Sequence, residues 1–304
     1  MKVALLSGGG GGARFARGLQ SILAPGELTV VGNVGDDLEI LGLHVSPDLD
    51  SLLYTLAGLI DMDRGWGRAD ETWNALESAA AWGGAEWFRL GDRDIGLHLV
   101  RTEALRDGAP LSEVTARLAR SVDLVTSLVP ATDDRVRTHV VTPAGTFPFQ
   151  EWFVGRRHED AVDGVEYRGA ESARAAPGAV AAIASADAIV FAPSNPYLSI
   201  GPIVAVAEIR ALIGARSVRC VAVSPLIGGD AVTGPLGRML TRMAGGTTPG
   251  HVAQCHPGLI DALVIDEADA PADAEVELVV TRTLMSAPES ERKLAEVVLE
   301  AACA

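Results

Sequence analysis

Apolar residues along the chain follow two rhythms. Val3 to Ser7, Leu28 to Val31, Ala186 to Ala192, Val218 to Val223, Leu263 to Ile265 and Val276 to Thr281 are short apolar runs that predict strands. Between them, apolar positions recur every three or four residues. Phe15-Leu19-Ile22-Leu23, Ile95 to Leu105, Leu111 to Leu118 with Ser112 as N-cap, Ile203 to Ile213, Leu236-Leu240-Met243 and Glu289 to Ala302 predict helices. Alternating strands and helices predict an α/β fold with a doubly wound, mostly parallel sheet. Val136 to Thr142 and Thr146 to Val154 flank Ala144-Gly145 and read as a β-hairpin, an antiparallel element added to that sheet.

Asp61 to Phe88 keeps neither rhythm. It is turn-rich and holds four of the five tryptophans. Residues 1–304 therefore read as one domain, with 61–125 a helical insertion over the site. Trp82 and Trp87 read as packing residues of that insertion. Trp66 and Trp73 stand among polar residues and glycines, which suits stacking on a planar ligand. His98 reads as a packed helix residue.

The first predicted strand ends in five glycines, Gly8 to Gly12. Glycines there permit positive φ and close approach of a ligand, and the helix that follows offers free N–H groups to an anion. Gly8-x-Gly10-x-x-Ala13 fits the dinucleotide pattern, but a glycine run fits many patterns. No acidic residue stands well placed for a ribose, and no Lys-Ser/Thr follows as in a Walker loop. A phosphate site is the reading preferred over a plain tight turn, which needs only one or two glycines.

The second strand ends in Asn33-Val34-Gly35-Asp36-Asp37, and His44-Val45-Ser46-Pro47-Asp48-Leu49-Asp50 follows. Four carboxylates within fifteen residues suggest a hard cation such as Mg²⁺. Turn and helix capping is the alternative; at least one cap and one ligand are expected. Ser194, Asn195, Ser199 and Gly201 lie in a second strand–loop–helix and offer hydroxyl, amide and backbone donors.

Composition narrows the partners. A net charge of −15 over 304 residues argues against nucleic acid. No apolar run reaches membrane-spanning length, and the glycines interrupt any signal-peptide pattern. Three scattered cysteines without C-x-x-C predict neither a disulfide framework nor a zinc site. The expectation is a cytoplasmic protein with small anionic substrates and no membrane partner.

Seven stretches in order carry a family resemblance: Gly11-Gly12-Ala13-Arg14; Asn33 to Asp37; Ser46 to Asp50; Gly91-Asp92-Arg93-Asp94; Phe149 to Val154; Ala192 to Pro196 with Ser199 to Pro202; and Ser224 to Gly229. The chain resembles the 2-phospho-L-lactate transferase family of coenzyme F420 biosynthesis. Asp63 to Ala75 looks most like its actinobacterial phosphoenolpyruvate transferase branch. The resemblance implies a Rossmann-like fold, Mg²⁺ as cofactor and, usually, a homodimer. It implies two substrates, the deazaflavin FO and enolpyruvyl- or lactyl-diphosphoguanosine, and release of GMP.

On that reading Asp36 and Asp50 hold Mg²⁺, and Asp37 or Asp48 helps hold it or accepts the hydroxyl proton. Gly8, Gly9, Gly11, Gly12, Arg14, Asn33, Ser194, Asn195, Ser199 and Gly201 bind phosphate and nucleotide. Trp66, Trp73 and Asp92 take the deazaflavin. Two departures stand out. Asp230 follows Gly229 where relatives commonly carry lysine, and the glycine run lacks its usual non-glycine residue. A second reading is a YvcK-like nucleotide-sugar-binding regulator, which should lack the Trp66–Trp73 segment. A Rossmann oxidoreductase is weaker, because no catalytic pair follows the fingerprint.

Overall fold

The computed structural model describes residues 1–304. Seven parallel strands form the central sheet: β1 (Val3–Ser7), β2 (Leu28–Gly32), β3 (Ser127–Pro130), β4 (Ala188–Phe191), β5 (Cys220–Val223), β6 (Ala262–Asp266) and β7 (Glu277–Thr281). Their order across the sheet is β3-β2-β1-β4-β5-β6-β7. This is the Rossmann order with one strand added. The order reverses between β1 and β4, and all seven strands end at the same edge.

Successive strand residues point to opposite faces, so each apolar strand feeds two cores. Val3 and Leu5 join the core under α1 (Gly9–Gln20), α2 (Pro47–Leu56) and the C-terminal helix Pro288–Cys303. Ala4 and Leu6 join the other, under Pro177–Ala184 and Ala207–Gly214. No single helix is both long and apolar enough to cross a membrane.

Four expectations change. The glycines do not delay the helix: α1 begins at Gly9, with Gly8 extended and Gly9 at φ +70°. The hairpin does not join the main sheet. Arg137–Thr142 pairs with Gly145–Pro148 on one side and Gly164–Arg168 on the other, in a separate antiparallel sheet, and Glu151–Gly155 is helical. Trp152, fully buried, packs there against Phe149 and Phe153. Ser112 is not a cap: Pro110 precedes the helix Leu111–Ser121, and Ser112 binds Asp133 through its N–H and Oγ. Trp82 is not a packing residue, being 90% exposed at the end of α3 (Asn74–Ala81). Trp87 sits edge-on to Phe88 and remains partly exposed.

The insertion is built on a reciprocal cap. Asp92, first residue of α4 (Asp92–Arg106), accepts from the N–H groups of Asn74 and Ala75 at the start of α3. Glu71, just before α3, accepts from the N–H groups of Arg93 and Asp94 at the start of α4. Each helix N-terminus, positive and short of acceptors, is met by a carboxylate from the other.

Candidate active site

The turn after β1, the acidic loops and the turn after β4 meet where the strand order reverses, the place open α/β sheets use for ligands. Their contacts are close. Ser194 Oγ donates to the Gly8 carbonyl at 2.7 Å. A β-carbon on Gly8 would overlap the Asp48 carboxylate and Ser199, and one on Gly12 would overlap Ser7 and Ser194. These two glycines serve close packing of the loops. Gly10 and Gly11 differ: both are exposed, in the first helical turn, where N–H groups have no intrahelical acceptor. Arg14, also exposed and without an ion pair, lies one turn along the same face.

Asn33 is the fully buried centre of the cluster. Its Nδ2 donates to Asp48 at 2.8 Å and to the Leu198 carbonyl at 3.3 Å, and its Oδ1 accepts from Gly35. Asp48 also accepts the Gly9 N–H at 2.8 Å. Asn33 therefore positions loops. Ser199 is buried beside Gly8.

The four carboxylates separate by their surroundings. Asp36 is buried with Oδ1 unpartnered; burial, then the Asp48 charge, push its carboxyl well above the usual range. Burial pushes Asp48 up to about 6, against the opposing hydrogen bonds from Asn33 and Gly9. Asp37 accepts from His44 Nε2 at 3.0 Å and Ser46 Oγ at 3.1 Å through Oδ2, leaving Oδ1 buried without a partner. Asp50 is the exception. Arg101, itself buried, binds both of its oxygens. Burial works against the charged form of Asp50, but the Arg101 charge and hydrogen bonds outweigh it and hold the carboxyl low.

Two buried carboxylates that repel each other, one with an orphaned oxygen, suit a bound divalent cation. That description fits Asp36 and Asp48. It does not fit Asp50, whose lone pairs are already met by a guanidinium.

Several expected ligand residues have other partners. Asn195 Oδ1 caps its own helical turn, accepting from Tyr197 and Leu198 N–H groups, and its Nδ2 donates to the Met239 sulfur at 3.8 Å. A side chain at Gly201 would overlap the Tyr167 hydroxyl, which donates to the Tyr197 carbonyl at 2.6 Å. The Asp92 carboxylate is occupied by Thr72, Asn74 and Ala75. Trp66 and Trp73 do stand together, with the Arg64 guanidinium 5.4 Å from one ring and 4.9 Å from the other. Arg89 lies 4.9 Å from Trp73 as well. The loop bearing them reaches the glycine turn: Gly65 lies beside Gly10 and the Arg14 guanidinium.

The chain matches the family model described as 2-phospho-L-lactate transferase CofD over residues 3–293. It belongs to the CofD family. Proteins named phosphoenolpyruvate transferase are similar along nearly all of it. The one from Streptomyces coelicolor is 44% identical over 91% of this chain and 88% of its own length. That from Thermobifida fusca is 42% identical over 99% and 98%, and that from Mycolicibacterium smegmatis 41% over 95% and 95%. A crystal structure of a upf0052-family protein from Bacillus halodurans shares the fold, with a TM-score of 0.67 over 98% of both chains at 16% identity.

Within this CofD-family chain, the sequence pattern left two site residues unassigned. Arg101 had a visible signal: Asp94, His98 and Arg101 repeat at i, i+4 and i+7, and all three are buried. That face of α4 is a polar stripe turned inward. His44 stood inside a quoted motif, but nothing in the pattern paired it with Asp37.

Proposed function

We propose that the protein transfers the phosphoenolpyruvyl group of enolpyruvyl-diphosphoguanosine to the terminal ribityl hydroxyl of FO, giving dehydro-F420-0 and GMP. The observation that carries this is the meeting of two unlike halves at one sheet edge. One half offers the first turn of α1, where the Gly10 and Gly11 N–H groups remain free beyond the Gly9–Asp48 bond, together with Arg14, suited to phosphate oxygens. The other offers Asp36 and Asp48, buried and mutually repelling. The carboxylates would hold a cation, and the cation would offset the charge of the phosphates. Family membership and the printed names of its relatives support the same reaction class.

Asp36 and Asp48 are the residues that would hold Mg²⁺, in place of the Asp36–Asp50 pair expected from sequence. When bound, the ion neutralises charge on the diphosphate and polarises its phosphorus. The chain does the positioning. Asn33 and Ser194 lock the loops, Gly10, Gly11 and Arg14 hold diphosphate oxygens, and the Trp66–Trp73 loop closes over the glycine turn toward the deazaflavin. Phosphoryl-type transfer depends chiefly on such placement and charge stabilisation.

The test is direct. The purified protein is incubated with FO, the guanosine donor and Mg²⁺, and products are separated by mass. Dehydro-F420-0 and GMP in equal amounts are expected, with none after chelation of the metal. FO recovered unchanged with every donor would end the transferase reading. Calorimetry with GDP and ADP checks the nucleotide: GDP should bind more tightly.

A further inference from the structure

Hydroxyl attack on phosphorus releases a proton, and the carboxylates expected to take it are poorly placed to do so. Each Asp48 oxygen already accepts a hydrogen bond, one from Gly9 and one from Asn33. Asp37 Oδ2 already accepts two, and its unpartnered Oδ1 is buried, with no route to pass a proton to water. His44 is arranged otherwise. Its Nε2 lies 3.0 Å from Asp37 Oδ2; a carboxylate only accepts, so Nε2 carries the hydrogen. That fixes the tautomer and leaves Nδ1 as the lone-pair nitrogen. Nδ1 has no partner in the protein and is not among the buried unpartnered atoms, and the side chain is 17% exposed.

We propose that His44 is the base that accepts the hydroxyl proton, with Asp37 and Ser46 as its positioning residues. The proposal rests on the transferase reading above. The arrangement is the histidine–carboxylate pair in which the acid orients the ring and the far nitrogen does the work. In the step, the ribityl oxygen forms a bond to the distal phosphorus. The bond from that phosphorus to the GMP oxygen breaks, and its electron pair leaves on GMP. The proton moves to His44 Nδ1 and from there to water.

Glu39 faces His44 across the short hairpin Leu38–Ile40/Leu43–Val45. Thr102 on α4 accepts the His44 backbone N–H at 2.8 Å. His98 lies beyond, its imidazole held neutral by burial, which lowers it to about 4. The Arg101 charge is matched by Asp50. Asp37 is thus the charge in direct contact with the ring.

The test compares wild type with His44→Gln, His44→Ala and Asp37→Asn in single-turnover transfer to FO across pH. Glutamine keeps an N–H for Asp37 but has no basic nitrogen. A fall in rate on the order of 100- to 10,000-fold is expected for His44→Gln. FO and GDP affinities and the melting temperature should hold, and the acid limb of the pH–rate profile should disappear. Added imidazole should restore part of the rate to His44→Ala, an effect a structural role would not produce. Wild-type rate and pH profile in His44→Gln would overturn the base, as would a loss traced only to weakened FO or GDP binding. A wild type that transfers nothing to FO overturns the proposed function itself, and this inference with it.

Discussion

Asp36 and Asp50 are the same side chain with opposite surroundings. Asp36 is buried against another carboxylate with an oxygen unsatisfied, whereas both Asp50 oxygens rest on Arg101. Their neutral variants should therefore fail differently. Asp36→Asn should lose most transfer while keeping the fold, and in metal-free buffer it should melt above the parent, because a buried repulsion has gone. Asp50→Asn should destabilise the protein by about 3–5 kcal/mol in urea unfolding, because it leaves Arg101 buried without its counter-charge. Equal loss of transfer with no loss of stability in both would return Asp50 to the cation site. The acidic spacing made a cluster legible from sequence, but not which member is neutralised. The partner that decides it lies on α4, 51 residues away.

At the scale of elements, strand-and-helix alternation was legible because each parallel strand is apolar on both faces. The antiparallel sheet was only half legible. Gly164–Arg168 is short and its residues half-exposed or exposed, so it carries no apolar run to find. The α3–α4 cap was quoted as motifs, yet its logic needs two helix N-termini brought face to face. Hydrogen bonds from Thr72, the Ala75 backbone and Asn74 hold Asp92 down to about 2, below the roughly 3.9 of an unfolded aspartate. The sign follows: the contribution is full above the unfolded value and is lost as pH falls toward 2. Acidification from about pH 4 toward 2 should loosen α3, and Asp92→Ala should loosen it already at neutral pH. Proteolysis of the 61–90 segment, followed by the exposed Trp82, is the measurement. Equal cleavage rates in Asp92→Ala and parent at neutral pH would show that Glu71 alone holds the two helices together.

At the scale of the molecule, the strand order fixes where chemistry can occur. The turns after β1 and β4 and the acidic loops after β2 converge on one edge, and the crevice falls between β1 and β4. That placement was legible from strand-end loops alone. The donor acid was not, since no residue pattern in the sequence distinguishes the two acids. The ground for enolpyruvate is instead spread along the chain, in 41–45% identity to relatives named phosphoenolpyruvate transferase. Enolpyruvyl and lactyl groups differ by two hydrogens and by planarity at the carbon bearing the ester oxygen. A pocket wall discriminates a change of that size by roughly 1–3 kcal/mol, about 10- to 200-fold in kcat/KM. Both donors should therefore react when offered alone. With both present at equal concentration, FO and Mg²⁺, the dehydro product should predominate by that ratio. The two products differ by the mass of two hydrogens, so one mass spectrum reads the ratio. Predominance of the heavier product would move the chain to the lactyl donor and leave the proposed transfer in place, because the roles proposed for Asp36, Asp48 and the glycine turn concern the diphosphate common to both donors.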